Sequence, residues 1–231
     1  MKIGVFAYNF PHWKTQEGIH NLVVNGFKPD VILAADPIPL NFPQSKIRIS
    51  PKDLYLTHPK KIAESYSIDY HVIPHNSQQA LDLIKQYDLD LGVILGARIL
   101  KPMVINGFKT GVLNMHPGIL PQNRGLDNIK WAIIDDLPQG VTTHLIDGKI
   151  DRGLFIEKST IEIYTDDTLL DIHLRIQNKE QQLMISALNT IQNVGTGSVE
   201  LSEGNYYKAV PYEIEQYLME TFESYKQKHS S

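Results

Sequence analysis

Short apolar runs alternate with amphipathic stretches along most of the chain. Apolar residues spaced three and four apart indicate helices, most clearly within Ser77–Tyr87. The apolar runs are typical of buried strands, and they are Lys2–Ala7, Val31–Ala35, His71–Pro74, Leu91–Leu95, Val112–Met115, Val141–Ile146 and Phe155–Ile163. Alternating strands and helices predict an α/β fold, a Rossmann-like, open, twisted and mostly parallel sheet with helices on both faces.

Capping residues predict where the helices begin and end. Thr15 and Gly26 bound the first helix, because a threonine oxygen accepts bonds from the free amides of a first turn and glycine readily ends a helix. By the same reasoning Thr165 begins a long helix that ends at Gly195, and Pro211 begins a last helix. We expect these two helices to contribute packing rather than chemistry.

The chain shows no internal repeat, no low-complexity tract and no domain boundary before residue 195. Pro37–Pro59 contains five prolines and little periodicity, which predicts a loop with one short helix near its end. We therefore predict one domain over residues 1–195. Residues 196–231 are predicted to form a short helical C-terminal extension that packs on it.

Composition favours a cytoplasmic enzyme or binding protein. The 231 residues are 42% hydrophobic, and the net charge of −4 disfavours binding to nucleic acid through its phosphates. The absence of cysteine excludes disulfides, thiolate nucleophiles and cysteine-based zinc sites. The apolar run at the N-terminus is too short for a signal peptide, and no stretch reaches the roughly 18 apolar residues of a membrane span. We therefore expect neither a nucleic-acid nor a membrane partner.

Several common active-site patterns are missing from the sequence. Tyr8–Pro11, after the first strand, has no glycine, whereas dinucleotide-binding and phosphate-binding loops need glycines there so that backbone amides can reach a phosphate. No Gly-x-Ser-x-Gly segment of the serine hydrolases occurs. Pro74 separates His71 from His75 and no third ligand follows, so no metal site is expected. His144 is interpreted as an ordinary half-buried strand residue.

The densest group of polar residues lies where predicted strands end. Asn114 and His116 are two residues apart at the end of a buried strand, so their side chains point to the same side of the sheet. A polar turn between two later strands carries Asp147 and Asp151. An amide, an imidazole and a carboxylate are the groups needed for acyl transfer to an amine. An isolated Asn-x-His pair is more often structural, with backbone partners, and spacing alone leaves both interpretations open.

Four separated segments of the sequence form an ordered set, namely Asn114–Pro121, Arg124–Gly125, Gly140–His144 and Ile150–Gly153. In this order they resemble the signature of the folate-dependent formyltransferases. That family includes glycinamide ribonucleotide, methionyl-tRNA and sugar-amine formyltransferases. The resemblance extends from about Leu89 to Ile163, is closest to the sugar-amine members, and implies an enzyme that transfers a formyl group.

The resemblance implies a set of catalytic and cofactor-binding residues. The family's catalytic Asn, His and Asp fall on Asn114, His116 and Asp151. The implied formyl donor is 10-formyltetrahydrofolate, with tetrahydrofolate as the product. Cofactor-binding residues are expected in two segments, Ala97, Arg98, Ile99 and Leu100 in the first and Asp147 and Gly148 in the second.

Departures from the family pattern favour a nucleotide-linked amino sugar as the acceptor. The N-terminal turn lacks the glycines with which glycinamide ribonucleotide enzymes bind a phosphate. Methionyl-tRNA members carry a C-terminal domain and basic surfaces, neither of which is expected here. Arg152 stands where threonine is common, whereas Gly118 is familiar among sugar-amine members, which build surface polysaccharides such as lipopolysaccharide. The expected acceptor-binding residues are Tyr8, Asn9, Phe10, Gly118, Arg124 and Asp127.

Other functions fit the same residues. A hydrolase would release formate from formyltetrahydrofolate, with water as the acceptor, although such proteins usually carry an N-terminal regulatory domain that is not expected here. A related transferase would act on another small amine, and a folate-binding module would have no activity, which the intact Asn114, His116 and Asp151 argue against. The sugar, its nucleotide, the position of the amine and the oligomeric state stay open, with a homodimer as the candidate assembly.

Overall fold

The structure, a computed structural model, describes residues 1–39, 45, 47–52, 54–149 and 151–230 of the chain. Its strands are β1 (Ile3–Tyr8), β2 (Val31–Ala35), β3 (Asp69–Val72), β4 (Leu91–Ile94), β5 (Gly111–His116), β6 (Arg124–Gly125), β7 (Gly140–Ile146), β8 (Gly153–Thr160) and β9 (Tyr206–Tyr207). Its helices are α1 (Trp13–Val24), α2 (Pro59–Tyr66), α3 (Gln78–Gln86), α4 (Pro102–Ile105), α5 (Asn128–Ile134), α6 (Leu169–Asn193), α7 (Tyr212–Glu215) and α8 (Leu218–His229).

Seven strands form one sheet in the order β3-β2-β1-β4-β5-β7-β8. The first five strands in that order run parallel, whereas β7 and β8 are antiparallel additions beside β5. Side chains alternate between the faces: Val5 and Ala7 pack in the core beneath α1 and α6, and Phe6 packs in the core beneath α3 and α4. The predicted fold, a mostly parallel α/β sheet covered on both faces, is confirmed.

Two predicted helix starts are wrong. Helix α1 begins after His12, and Thr15 lies inside it, buried against the sheet, with its hydroxyl donating to the Leu95 carbonyl (3.3 Å). Helix α6 begins after Thr168, whose side chain forms a reciprocal capping box with Asp171. The Thr168 hydroxyl thus satisfies a free amide of α6, whereas the residue before α1, His12, makes no capping bond with its side chain. The helix predicted within Ser77–Tyr87 is confirmed as α3, and the Ser77 hydroxyl caps it by accepting the third amide of the helix.

The predicted last helix is divided in two. Pro211 precedes the short helix α7, and α8 follows as a separate helix after Tyr217. Phe222 and Tyr225 of α8 are buried in the core beside α5, and the Tyr225 hydroxyl donates to the Leu137 carbonyl (2.7 Å). The boundary at residue 195 between a domain and an extension stays a prediction.

Parts of two predicted segments fall outside the described residues. The predicted loop Pro37–Pro59 includes positions 40–44, 46 and 53, and the polar turn before β8 includes position 150. The helix that follows this loop, α2, begins at Pro59 itself. Among the helices of the described ranges, none combines the length and the apolar character needed to cross a membrane.

Candidate active site

The carboxyl end of β5 brings the predicted catalytic residues together. Asn114 and His116 lie on this strand, and the antiparallel register with β7 places His144 directly opposite Asn114. Asp151 lies in the turn from β7 to β8, with a left-handed backbone (φ 48°) that turns its side chain towards β5. Its Oδ1 is 3.2 Å from Nδ1 of His116. An amide, an imidazole and a carboxylate thus form one cluster with a second histidine.

Both ring nitrogens of the buried His116 face acceptors. Nδ1 faces the Asp151 carboxylate, and Nε2 lies 2.7 Å from the carbonyl oxygen of Asn123. A ring nitrogen donates only when it carries a proton, so the position of the proton determines which of these two bonds forms. The carboxylate at Nδ1 agrees with the catalytic interpretation of the Asn-x-His pair. The backbone carbonyl at Nε2 agrees with the structural interpretation.

Asp151 is held as a carboxylate by its partners. Burial raises the pKa of this carboxyl, but the hydrogen bond and charge of His116 and the amide of Gly125 together bring it below its ordinary value. The Gly125 N–H donates to Oδ2 at 2.7 Å, while Oδ1 faces His116. Asp151 is therefore ionised at neutral pH.

His144 is a member of the cluster that the sequence analysis missed. It is fully buried, where a half-buried residue was expected, and its Nδ1 donates to the Arg152 carbonyl (3.0 Å). Its Nε2 then accepts from Nδ2 of Asn114 (3.3 Å). Burial, followed by the charge of His116, lowers the pKa of His144 to about 4, so the ring is neutral at physiological pH. This neutral tautomer sets the orientation of the Asn114 amide.

The turn after His116 is anchored to β7. The hydroxyl of Thr142 donates to the Gly118 carbonyl (2.8 Å) and accepts the Leu120 N–H (3.0 Å). A Cβ at Gly118 would lie 2.7 Å from the Asn123 carbonyl oxygen and 3.0 Å from Nε2 of His116. Glycine is therefore required here by the close approach that lets His116 bond to Asn123. The predicted acceptor-binding role of Gly118 stays a prediction.

The predicted cofactor residues line two different cavities. Asp147 and Gly148 line cavity A, of about 550 Å³, between α4, the start of β5 and the turn from β7 to β8. Arg98 lines cavity B, of about 480 Å³, at the carboxyl ends of β1, β2 and β3. Leu100 is buried in the core beside α3 and α4, whereas Ile99 is 65% exposed. The structure does not bring these residues to one point.

Hydrogen bonds within the protein already use several backbone groups of the loop after β4. Asn76 donates to the carbonyl of Ile99 (2.8 Å) and accepts the N–H of Lys101 (2.7 Å). The Tyr8 hydroxyl donates to the carbonyl of Ala97 (3.0 Å). These bonds set the course of the loop from cavity B to cavity A. They also occupy the backbone carbonyls of Ala97 and Ile99, two residues that were predicted to bind the cofactor.

The predicted acceptor residues are divided as well. Tyr8 and Phe10 line cavity B with their rings stacked, 5.0 Å between centroids and 8° between planes. The side chain of Asn9 bonds instead to Asp36 and Tyr70, at 2.7 Å each. Predicted acceptor and cofactor residues therefore share cavity B.

A third cavity, cavity C, lies beside the chain that follows His116. It has a volume of about 280 Å³ and is lined by two carboxylates, Asp127 and Glu180. Asp127 accepts the backbone N–H of Val210 (2.9 Å). The ammonium of Lys14 donates to Glu180 (2.7 Å) and to the carbonyl of Met115 (3.1 Å), which links the floor of this cavity to β5.

Two buried polar atoms at cavity C have no hydrogen-bond partner within the described part of the chain. They are Nε2 of His173 and Oε1 of Gln177. Buried polar groups are nearly always hydrogen-bonded, so these atoms suit the hydroxyl or amine groups of a ligand. Arg124 lies on β6 instead, where its guanidinium donates to the Gly204 carbonyl (3.4 Å). Within the described ranges, no group of three or more histidines and carboxylates is placed to hold a metal ion.

Comparison with known proteins agrees with the geometry of the cluster. The profile of the formyl transferase family matches residues 49–188, which is more than half of the chain and includes Asn114, His116 and Asp151. The chain belongs to the formyl transferase family. The predicted family is thus confirmed, while the roles of individual residues stay predictions.

Similar sequences are methionyl-tRNA formyltransferases. That of Azobacteroides pseudotrichonymphae is 34% identical over 122 residues, which is 52% of this chain and 37% of the relative. That of Flavobacterium johnsoniae is 34% identical over 111 residues, 48% of this chain and 35% of the relative. The matched region thus spans little more than a third of the length of these relatives.

Similar solved structures come from several branches of the family. The N-formyltransferase of Helicobacter canadensis, in complex with folinic acid and dTDP-3-aminofucose, has a TM-score of 0.63 at 21% identity, covering 90% of this chain and 71% of that one. The phosphoribosylglycinamide formyltransferase of Streptococcus pneumoniae has a TM-score of 0.61 at 19% identity, covering 83% and 99%. The sugar N-formyltransferase of a Shewanella species has a TM-score of 0.60 at 21% identity, covering 90% and 77%. At these identities the likeness shows the shared fold.

Proposed function

We propose that the chain is an N-formyltransferase that transfers the formyl group of 10-formyltetrahydrofolate to the primary amine of a nucleotide-linked amino sugar. The observation that carries this proposal is the cluster of Asn114, His116 and Asp151 at the carboxyl end of β5, held by His144 and by backbone. Membership of the formyl transferase family supports it.

Each residue of the cluster has a distinct part in formyl transfer. The bond from the amine nitrogen to the formyl carbon forms, the bond from that carbon to the folate nitrogen breaks, and one proton passes from the amine to that nitrogen. Negative charge develops on the formyl oxygen, and Asn114, oriented by His144, donates its remaining N–H to it. His116, paired with the Asp151 carboxylate through Nδ1, lies two residues further along the same strand, as a second donor or as the group that accepts the amine proton. Proton acceptance by His116 requires that one of its two present bonds be exchanged for the amine.

Cavities A and B fit the two ends of the formyl donor. Cavity A combines apolar side chains such as Ile105 and Leu145 with polar groups at Asp147 and Gly148, and its volume is in the range of cofactor pockets. We assign the pterin to this cavity. Arg98, at cavity B, supplies the positive charge that suits the carboxylates of the glutamyl tail.

Cavity C fits a small hydroxylated amine. Its carboxylates, Asp127 and Glu180, suit sugar hydroxyls and an ammonium group. So do the side-chain atoms of His173 and Gln177 that have no hydrogen-bond partner among the described residues. The net charge of −4 disfavours a tRNA acceptor. The similar structure from Helicobacter canadensis was solved with a nucleotide-linked amino sugar. Methionyl-tRNA is the second candidate acceptor, because the similar sequences carry that name.

A panel of acceptors tests the proposal. The purified chain is incubated with 10-formyltetrahydrofolate and, separately, nucleotide-linked 3-amino and 4-amino sugars, phosphoribosylglycinamide, methionyl-tRNA or no acceptor, and the product masses are read. We expect a formamide on an amino sugar, formed at least about 100-fold more slowly with Asn114→Ala. Formylated methionyl-tRNA alone would select the second candidate. Formate release at the same rate without acceptor would show a hydrolase, and folate binding without turnover would show a binding module.

A further inference from the structure

The position of the Asp151 carboxylate depends on two separate backbone segments. Its own turn leads directly into β8 at Gly153. Its Oδ2 accepts the N–H of Gly125, which lies on the short strand β6. The distance between β8 and β6 therefore decides whether this carboxylate meets both the Gly125 amide and His116.

A segment from the C-terminal part of the chain joins these two strands. We name residues 199–207 the strap. At its beginning, the carbonyl of Val199 accepts the Phe155 N–H (2.8 Å) and the N–H of Leu201 donates to the Gly153 carbonyl (2.9 Å), so the strap lies antiparallel along the start of β8. These bonds fix the strap to the strand that follows Asp151.

The end of the strap is fixed to β6. Strand β9 pairs with β6 in parallel, the Asn205 carbonyl accepts the Arg124 N–H (3.2 Å), and the Tyr207 carbonyl accepts the Leu126 N–H (3.0 Å). A Cβ at Gly125, where φ is +102°, would lie 2.0 Å from the Tyr207 carbonyl oxygen. Only glycine allows this approach, so the amide that bonds Asp151 is held directly by the strap.

The middle of the strap touches the catalytic turns. A Cβ at Gly204 would lie 1.9 Å from the carbonyl oxygen of Pro121, and Glu203 forms an ion pair with Arg152 (3.2 Å). The aromatic ring of Tyr207 stacks on Trp131 (4.8 Å between centroids). The strap is therefore seated on the turn after β5, on the turn before β8 and on α5.

We propose that the strap positions the Asp151 carboxylate, with Gly204 and Tyr207 as its positioning residues. By holding β6 against β8, it keeps the Gly125 N–H on Oδ2 and leaves Oδ1 for His116. Without this constraint, Asp151 loses a hydrogen bond that its charged form requires. The expected effect of the strap on formyl transfer rests on the proposed function, whereas its effect on the position of Asp151 does not.

The test compares Gly204→Ala and Tyr207→Phe with the control Ser202→Ala, whose side chain is exposed in the same segment. The added methyl group meets backbone at Pro121, so it displaces the strap. Tyr207→Phe keeps the ring but removes the hydroxyl, which donates to Asp135 (2.5 Å) and accepts from Asn205 (3.3 Å). The readout is the pKa of Asp151, followed by NMR of its carboxyl carbon through the acidic range. This readout requires no turnover, so it tests the strap even where formyl transfer is not found.

Loss of the Gly125 bond raises the pKa of Asp151 by roughly one pH unit in Gly204→Ala, and by less in Tyr207→Phe. The titratable groups that act on the pKa of this carboxyl, His116 and His144, are the same in all variants, as is the neighbouring Arg152. In formyl transfer we expect kcat of Gly204→Ala to fall about tenfold, because one pKa unit corresponds to a factor of about ten in an equilibrium constant. KM for the acceptor should be unchanged.

An unchanged titration of Asp151 in Gly204→Ala would overturn the proposal, as would an equal shift in Ser202→Ala. If Gly204→Ala does not fold, Tyr207→Phe decides, because its ring still stacks on Trp131. A raised pKa of Asp151 in this variant supports the strap, and a wild-type pKa overturns it.

Discussion

At the scale of single residues, each side chain of the cluster is held by a partner from a different part of the fold. Asn114 is oriented by a neutral histidine on β7, and Asp151 by an amide on β6. His116 is bonded on both sides, by the Asp151 carboxylate and by the Asn123 carbonyl. Pre-oriented donors of this kind stabilise a developing negative charge better than water does.

Substitution of Asn114 and of His116 should have different effects on stability. Asn114→Ala and His116→Asn are each expected to lower turnover by about 10²–10⁴-fold, the usual effect of removing an oxyanion donor or a charged catalytic group. His116→Asn should also lower the free energy of unfolding by about 1–3 kcal/mol, because buried partners of its ring lose their bonds. Asn114 is partly exposed, so its loss should cost less. Steady-state kinetics with urea denaturation checks both; near-normal turnover in either variant contradicts the assignment.

The two carboxylates of the β7–β8 turn should differ in function. Asp151→Asn keeps an acceptor for Gly125 but removes the charge opposite His116, so we expect turnover to fall by about 100-fold or more. Asp147 accepts the Lys149 N–H (2.6 Å) and lines cavity A, so Asp147→Asn should mainly raise KM for the folate. Kinetics with varied folate distinguishes the two effects. Equal, mild losses at both positions would show that the wrong carboxylate was chosen.

At the scale of elements, residues close in sequence determine where α6 begins, whereas pairing between distant segments determines the position of the strap. Helix α6 starts at the reciprocal capping box of Thr168 and Asp171 and provides Glu180 for cavity C. The strap pairs with β8 at one end and with β6 at the other. The helix is thus specified by neighbours in sequence, whereas the strap depends on strands far from it along the chain.

Substitution of two threonines distinguishes the observed start of α6 from the predicted one. Thr168→Ala removes the hydroxyl that accepts the Asp171 N–H (3.2 Å), and should lower the free energy of unfolding by about 1 kcal/mol. Thr165→Ala changes an exposed residue before the helix, and should alter it by less than about 0.5 kcal/mol. Chemical denaturation of both variants checks this. A larger loss from Thr165→Ala would place the cap where the sequence analysis predicted it.

At the scale of the whole molecule, buried histidines couple stability to pH. The pKa values of His12 and His144 are lowered from 6.5 to about 4, in both cases mainly by burial. The unfolded chain therefore binds protons on them below about pH 6.5, while the folded chain does not until about pH 4. Stability must fall as the pH is lowered through this window, since protons favour the unfolded state.

His144 should account for one proton of this dependence. Between about pH 6.5 and 4, each such histidine lowers the free energy of unfolding by up to about 1.4 kcal/mol per pH unit. Urea denaturation at several pH values gives the slope of the unfolding free energy against pH. We expect His144→Phe to reduce this slope by the contribution of one proton. Thr165→Ala changes an exposed residue, keeps both histidines and should keep the slope. An unaltered slope in His144→Phe would mean that His144 is not held neutral.

The sequence by itself determined the features that depend on neighbouring residues. Strand and helix periodicity predicted the α/β sheet, because side chains two or four apart share a face. The contiguous segments around Asn114, His116 and Asp151 predicted the family and the cluster, since each segment carries its own residues at fixed spacing. Errors of a few residues at Thr15 and Thr165 arose where several residues could have capped a helix.

Only the tertiary structure decided the pairings between distant parts of the chain. The antiparallel register of β5 and β7 places His144 against Asn114, and one residue of slip would have turned it to the other face. The tertiary structure also decided how the predicted binding residues are divided among three cavities. It decided as well that the strap bonds to Gly153 and Arg124. Such contacts depend on how strands pair and how helices pack against them, which local patterns do not contain.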